Sequence, residues 1–208
     1  LYQFQGDREK TLAMARKSLK IAQQNGFTFW IGWAEILEAW ALDTNDSEVK
    51  YLEAMYNGFE HWKALGSRLG SPYFLYLIAD SLIRHGKPND AYTALEEAKA
   101  FNKRTHEGWW AAEIYRLEGK LHESENPANP QLAETSYRKA LSIAKEQNSK
   151  SLELRAANSL ATLLLDTPKL SEGTKILKEC LNGFDEELDT PDIREARATL
   201  RSLSAIEN

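Results

Sequence analysis

The sequence predicts an all-α fold, a right-handed solenoid of antiparallel helix pairs repeating about every 40 residues, and three observations predict it. The first is a recurrence of small residues: Ala39, Ala79, Gly119 and Ala161 lie at spacings of 40, 40 and 42. Tyr51, Ala91, Ala133 and Gly173 follow them by twelve, twelve, fourteen and twelve residues, and Gly58, Ala98, Ala140 and Cys180 come seven residues later again. A self-similar period of this length marks a repeat array, in which each unit buries its apolar face against its neighbours. The second observation is that the apolar pattern between these residues is helical throughout. The third is punctuation: the chain carries no β-hairpin signal and no Gly/Ser linker, so it reads as one continuous array without an internal domain boundary.

Taken in order, residues 7–26 form a half-unit. Its helix, 7–25, is a second helix lacking its first partner, because the positions forty before Tyr51, Met55 and Gly58 are Thr11, Ala15 and Ser18. The first full pair, 28–66, has helices over 29–44 and 47–65. In the next, 71–105, the stretch 73–85 carries Phe74, Leu75, Ile78, Ala79 and Leu82 in an apolar stripe of helical period. It ends in His85-Gly86-Lys87-Pro88, where Gly takes a left-handed position after the helix and Pro opens the following one. Ala91, Leu95 and Ala98 are the inner stripe of that second helix. The pair 107–148 has helices over 109–124 and 131–148, separated by an exposed loop over 123–130 with two prolines and two asparagines. The pair 150–183 has helices over 151–166 and 171–183. A capping helix over 190–206 is started by Asp189, Thr190 and Pro191.

The small residues have a physical reason. Helices pack with axes about 8–10 Å apart, and the closest crossing leaves no room for a large side chain. Leu95, Tyr137 and Leu177 then fill the flanking grooves. Gly119 inside a helix costs about 1 kcal/mol relative to Ala, so its presence points to a packing demand. Cys180 occupies one of these positions, and a buried, inert thiol is expected there.

Composition narrows the function. Hydrophobic residues make up 42% and charged residues 27%, the profile of an ordinary soluble chain able to bury about 70% of its unfolded surface. The net charge of −5, with acids and bases mixed along every segment, does not provide the basic face that nucleic acid requires. A single cysteine excludes an internal disulfide and fits a reducing, cytoplasmic compartment. No apolar run approaches the ~18 residues of a membrane span. The opening residues include neither an initiator Met nor a signal sequence, so the expectation is a piece of a longer protein.

The offsets within each unit, with Leu75, Ile78, Ala79, Leu82, Gly86, Ala91, Leu95 and Ala98 in the clearest one, resemble the tetratricopeptide repeat. That family's ordinary unit has 34 residues, and the longer period here implies longer helices. Trp40-Ala41-Leu42, Gly58-Phe59-Glu60-His61-Trp62, Leu69-Gly70-Ser71-Pro72-Tyr73-Phe74-Leu75, Glu113-Ile114-Tyr115-Arg116-Leu117-Glu118-Gly119 and Ser151-Leu152-Glu153-Leu154-Arg155-Ala156-Ala157 follow in order. Together they are similar to the C-terminal repeats of bacterial multidomain signalling ATPases and of cyclase-associated or transcriptional-regulator proteins. The resemblance implies a repeat region that senses or binds a partner while other domains act. In such repeats the first helix of each unit lines a concave groove. That projection selects Trp33, Ile36, Trp40 and Asp43; Tyr73, Tyr76, Asp80 and Arg84; Glu113, Arg116, Lys120 and Glu123; and Arg155, Asn158, Thr162 and Asp166.

Catalytic and cofactor motifs are missing. No phosphate-binding loop occurs, and Gly66, Gly70 and Gly86 read as helix-end glycines. His61, His85, His106 and His122 lack metal-ligand spacing and read as surface or helix-capping residues. No nucleophile has supporting context. Trp109-Trp110, at a helix start, reads either as packing or as an exposed patch, and the acidic run 184–189 as a solvated connector. Groove residues Trp33, Trp40, Tyr73, Tyr76, Arg84, Glu113, Arg116, Arg155 and Asn158 are the candidates for partner binding, because Trp, Tyr and Arg bury area and still offer donors. Glu113 with Arg116, and Glu153 with Arg155, form either a ligand-holding pair of arginines or a salt-bridge ladder between units. The expectation is a non-catalytic module, without cofactor or metal, that binds a protein or peptide or an intramolecular ATPase or cyclase domain. Two alternatives stand beside it: a sensor of a small anionic ligand or nucleotide using Arg84, Arg116 and Arg155, and a homodimerisation module.

Overall fold

The computed structural model describes residues 1–44, 49–125, 127–185 and 188–207. They form ten α-helices, with no strand among the described residues: α1 Arg8–Asn25, α2 Thr28–Leu42, α3 Lys50–Ala64, α4 Ser71–Arg84, α5 Pro88–Thr105, α6 Ala111–Ser124, α7 Pro130–Glu146, α8 Lys150–Leu163, α9 Leu170–Leu181 and α10 Pro191–Glu207. The chain divides into two compact units, Leu1–Glu107 and Gly108–Asn208, which hold α1–α5 and α6–α10. The expected helix start at Ser47, Asn126 of the 123–130 loop, and Glu186 and Glu187 of the acidic run lie outside the described residues.

Local sequence sets the helix ends. Asp7 caps α1 by accepting the Lys10 amide at 2.9 Å, and Gly26 closes the helix at φ +68°. After α4, Gly86 at φ +67° lets the Lys87 amide reach back to the Leu82 carbonyl at 2.9 Å, and Pro88 opens α5. Asn148, at φ +52°, makes the equivalent turn after α7. Asn129 caps α7 through the Leu132 amide, and Thr190 accepts the Ile193 amide at the start of α10. Most helix ends fall one to three residues from expectation, those of α6 and α8 among them. α6 begins at Ala111, because Trp110 sits in a turn that buries its indole outside the helix. α8 ends at Leu163, three residues short of the expected 166, and the chain runs through turns to α9.

In the first unit α2 packs against α1, α3 and α4, and α4 against α5. The α2–α3 pair is antiparallel: Gly32 faces Gly58 and Trp62, while Gly58 faces Ile36, so position rises in one helix as it falls in the other. The centre is aromatic. Trp62 meets Phe29 at 4.1 Å between ring centroids, Trp33 at 5.4 Å and Phe74 at 5.5 Å, the last two edge-on. Edge-on ring pairs add about 0.5–1.5 kcal/mol each beyond the area they bury. Ile36, Met55, Phe59, Leu77, Ile78 and Leu95 complete this core.

In the second unit α6 packs on α7, α7 on α8, and α8 on α9, with α10 covering α8 and α9. Gln147 donates to the Gly108 carbonyl and Ser136 to Glu118, so α6 and α7 are antiparallel. Lys150 to Gly183 and Cys180 to Glu153 establish the same for α8 and α9. Ala133, Ala140, Ala156, Ala157, Ala161, Leu160, Leu177, Ile193, Ala196 and Leu203 form the core.

The small-residue register is used for close packing. Ala79, Ala91, Ala98, Ala133, Ala140 and Ala161 are fully buried. A Cβ added at Gly58 would lie 2.9 Å from the Ile36 side chain, and one at Gly173 would lie 3.2 Å from the Ala161 backbone. Two positions depart from expectation. Ser18 is exposed although it shares the Thr11–Ala15–Ala22 face of α1, because it lines an open cleft between α1 and α2. Cys180 is half-buried at the edge of the core, its thiol donating to Glu153 of α8 at 3.5 Å.

At Gly119 an added Cβ would fall within 2.9 Å of three ring atoms of Tyr137, a residue that is itself buried. Gly119→Ala gains about 1 kcal/mol of helix propensity but forces a ring out of a packed core, which costs about 1–3 kcal/mol. A net loss of stability is expected in urea titration. Tyr137→Leu should recover part of it in the double variant, since the clash is with the ring. A stabilised Gly119→Ala protein would show that the glycine answers no packing demand.

Candidate functional site

The aromatic candidates lie together on α2 and α4 of the first unit. Trp33 is half-buried, its ring 4.7 Å from Phe74 and 6.4 Å from Tyr73 between centroids. Trp40, Tyr73 and Tyr76 are buried. Trp40 lies under the Arg8 guanidinium, 4.4 Å from the ring centroid, and its carbonyl accepts a hydrogen bond from the same group. The Tyr73 hydroxyl donates to Gln3 at 2.7 Å, and burial raises its pKa well above that of an ordinary phenol.

Beside them lies a cleft of about 220 Å³, lined on α1 by Thr11, Met14, Ala15 and Ser18, on α2 by Trp30, Trp33, Ala34 and Leu37, and by residues 1–3. No charged side chain lines it. Trp30, at its rim, is 54% exposed, unusual for so large an apolar group.

Arg84 is held by its own unit. Its Nη1 donates to the Asp43 carbonyl at 2.7 Å, its Nη2 lies 2.8 Å from Asp43 Oδ2, and its Nε lies 3.3 Å from Asp80. Asp43 is fully buried, accepts from Ser81 at 2.6 Å and meets His85 Nε2 at 2.7 Å. A carboxylate at the C-terminal end of α2 faces the negative pole of that helix, so a surrounding cation and donors are what make it tolerable. His85 therefore belongs to a buried polar cluster rather than to the surface. His122 is also buried, 3.1 Å from Glu125.

The charged candidates of the second unit converge on Glu113. This carboxylate is 1% exposed and is gripped by Arg116 through Nε at 2.6 Å and Nη2 at 2.8 Å, with Arg155 Nη1 at 3.5 Å. Burial pushes its pKa up, and the guanidiniums of Arg116 and Arg155 with the Lys120 ammonium outweigh that, holding it at about 2. Arg155 also binds Asp192 of α10 at 2.9 Å, and Asn158 donates to Glu195 of α10 at 3.2 Å. Glu153 pairs with neither arginine in these contacts. It takes the Cys180 thiol, whose pKa burial and the Glu153 charge push up to about 12, so Cys180 is a poor nucleophile.

Of the sequence candidates, the structure thus joins Trp33 with Tyr73, and Glu113 with Arg116 and Arg155. It engages Arg84, Arg155 and Asn158 with acids, and places Trp40 beneath Arg8. The Asp43 cluster had a readable signal, because Arg84 and His85 lie 41 and 42 residues after Asp43, just as Arg155 lies 42 after Glu113. Ion pairs one period apart mark charged side chains on successive first helices. Trp30, Met14 and residues 1–3 carried no such signal. Among the described residues no group of three or more His, Cys, Asp or Glu is arranged to hold a metal ion, and no helix is long and apolar enough to cross a membrane.

Folding lowers the Glu113 pKa from 4.5 to about 2, so its stabilisation is complete above pH 4.5 and drains away as pH falls toward 2. The full effect is on the order of 3 kcal/mol. Urea midpoints measured across this window should fall steeply in the wild type and more shallowly in Glu113→Gln, which is less stable at neutral pH. Parallel acid limbs in the two proteins would remove Glu113 from this role. Comparison with protein-family models and with curated proteins finds no match for this chain.

Proposed function

We propose that this chain is a non-catalytic interaction module, a tetratricopeptide-like array of helix pairs within a larger cytoplasmic signalling protein, that binds a peptide or protein segment on the aromatic face of α1, α2 and α4. The observation that carries this reading is the uncharged cleft between α1 and α2 with Trp30 exposed at its rim. Aromatic groups presented beside a preformed apolar recess are what anchors of protein recognition dock into, and the rigid helices hold them without an ordering cost at binding.

The ion pairs favour this over a small anionic ligand. Arg84, Arg116 and Arg155 each already face a carboxylate of their own unit, two of those carboxylates being buried. An incoming anion would have to displace a partner that cannot leave for water, which costs about 3–5 kcal/mol when a buried pair is broken.

Selection of a random peptide library on the intact chain tests the reading, with affinities then measured by fluorescence anisotropy. Peptides of micromolar affinity are expected, and Trp30→Ser, which removes an exposed ring and spares the core, should weaken them roughly tenfold. A library that yields no binder above background would overturn the proposal. Binders indifferent to Trp30→Ser would move the site elsewhere.

A further inference from the structure

The dipeptide Asn-Gly occurs three times, at Asn25-Gly26, Asn57-Gly58 and Asn182-Gly183. It is chemically labile, because glycine carries no Cβ to shield its amide nitrogen from the carboxamide before it. Attack of that nitrogen on the carboxamide carbon requires the asparagine to leave helical backbone, so each copy reacts only as readily as its own hydrogen bonds open. The fold gives the three copies three different environments.

Asn57 lies inside α3, and Gly58 is buried with Ile36 against it, so opening the helix there breaks the core. Asn25 ends α1. Its Nδ2 donates to the Ile21 carbonyl at 2.8 Å, and the Gly26 and Phe27 amides both reach back to the Ala22 carbonyl, Phe27 at 2.9 Å. Carboxamide and attacking nitrogen are thus both held. Asn182 is exposed just beyond α9, and its carboxamide bonds no other described residue. The Gly183 amide makes a single 3.2 Å turn bond to the Cys180 carbonyl, and the Phe184 amide a 3.1 Å bond to Leu181. Lys150 Nζ, 2.8 Å from the Gly183 carbonyl, sets a cation beside this peptide, which favours loss of the amide proton.

We propose that Asn182 is a modification site, converted in the folded protein to aspartate and isoaspartate by reaction with its own backbone and water. The Gly183 nitrogen gives up its proton and bonds to Asn182 Cγ, the Cγ–Nδ2 bond breaks, and the side-chain nitrogen leaves as ammonia, which carries that proton away. Water then opens the resulting succinimide. Cleavage of the new Cγ–N bond leaves aspartate, and cleavage at the backbone carbonyl leaves isoaspartate, with the chain running through Cγ. One water is consumed and one ammonia released, with no change of oxidation state. Either product adds a negative charge, and isoaspartate lengthens the backbone by one methylene. That insertion falls between α9 and the two residues that fasten its end: Gly183, bonded by Lys150 of α8, and Phe184, packed on the core. The reaction therefore loosens the end of α9 irreversibly.

The intact chain is aged in warm, mildly alkaline buffer, folded and in urea, and the tryptic peptides 21–50, 51–63 and 179–194, each holding one Asn-Gly pair, are followed by fragment mass spectra. In urea the three asparagines should convert at similar rates. In the folded protein Asn182 should keep most of its urea rate, while Asn25 and Asn57 fall behind it by roughly tenfold or more. Conversion of Asn182 as slow as that of Asn57, or conversion led by Asn25, would overturn the proposal. Aged wild type should also unfold at lower urea than Asn182→Gln aged beside it, a substitution at an exposed position outside every helix. Equal midpoints after full conversion would overturn the loosening of α9.

Discussion

Close approach of helix backbones at small residues is the constraint on which the other features depend. Where Gly58 meets Ile36, Gly173 meets Ala161 and Gly119 lies under the Tyr137 ring, no Cβ or no larger side chain has room. That proximity sets which faces of α2, α4, α6 and α8 turn inward. It therefore also sets which side chains are left to line a surface. The apolar recess beside Trp33 and the burial of Glu113 are both consequences of helices held at this spacing by alanine and glycine.

Burial then decides what the charged groups do. Glu113 and Asp43 are withdrawn from water almost completely, and a carboxylate so placed must be matched by cations and donors. Arg116 and Arg155 meet the first demand, and Arg84, Ser81 and His85 meet the second. In both units one arginine lies 41 or 42 residues further along the chain than its carboxylate, Arg84 from Asp43 and Arg155 from Glu113, so each cluster ties two helices together. Guanidiniums that look available for a ligand in the sequence are structural in the fold. In the first unit the cleft between α1 and α2 is lined by no charged side chain and leaves Trp30 exposed.

The two units differ in what their helices bring together. In the first, rings of α2, α3 and α4 meet around Trp33 and Trp62, beside the buried Asp43 cluster. In the second, charged side chains of α6 and α8 meet on Glu113.

The sequence by itself determined the all-α class, the helix order and most helix ends, because these depend on local periodicity, glycine conformation and proline geometry, each readable within a few residues. It also located the small packing positions, and it paired Glu113 with Arg116 and Glu153 with Arg155, of which the fold keeps the first and turns Arg155 to Glu113 instead. What those residues do was decided by tertiary structure, since a guanidinium binds whichever carboxylate burial leaves unmet. Trp110 outside its helix, the half-exposure of Cys180, and the meeting of Gln3 and Phe4 with Tyr73 were likewise decided there. Contacts across some seventy residues obey no period, so only the packed helices bring them together.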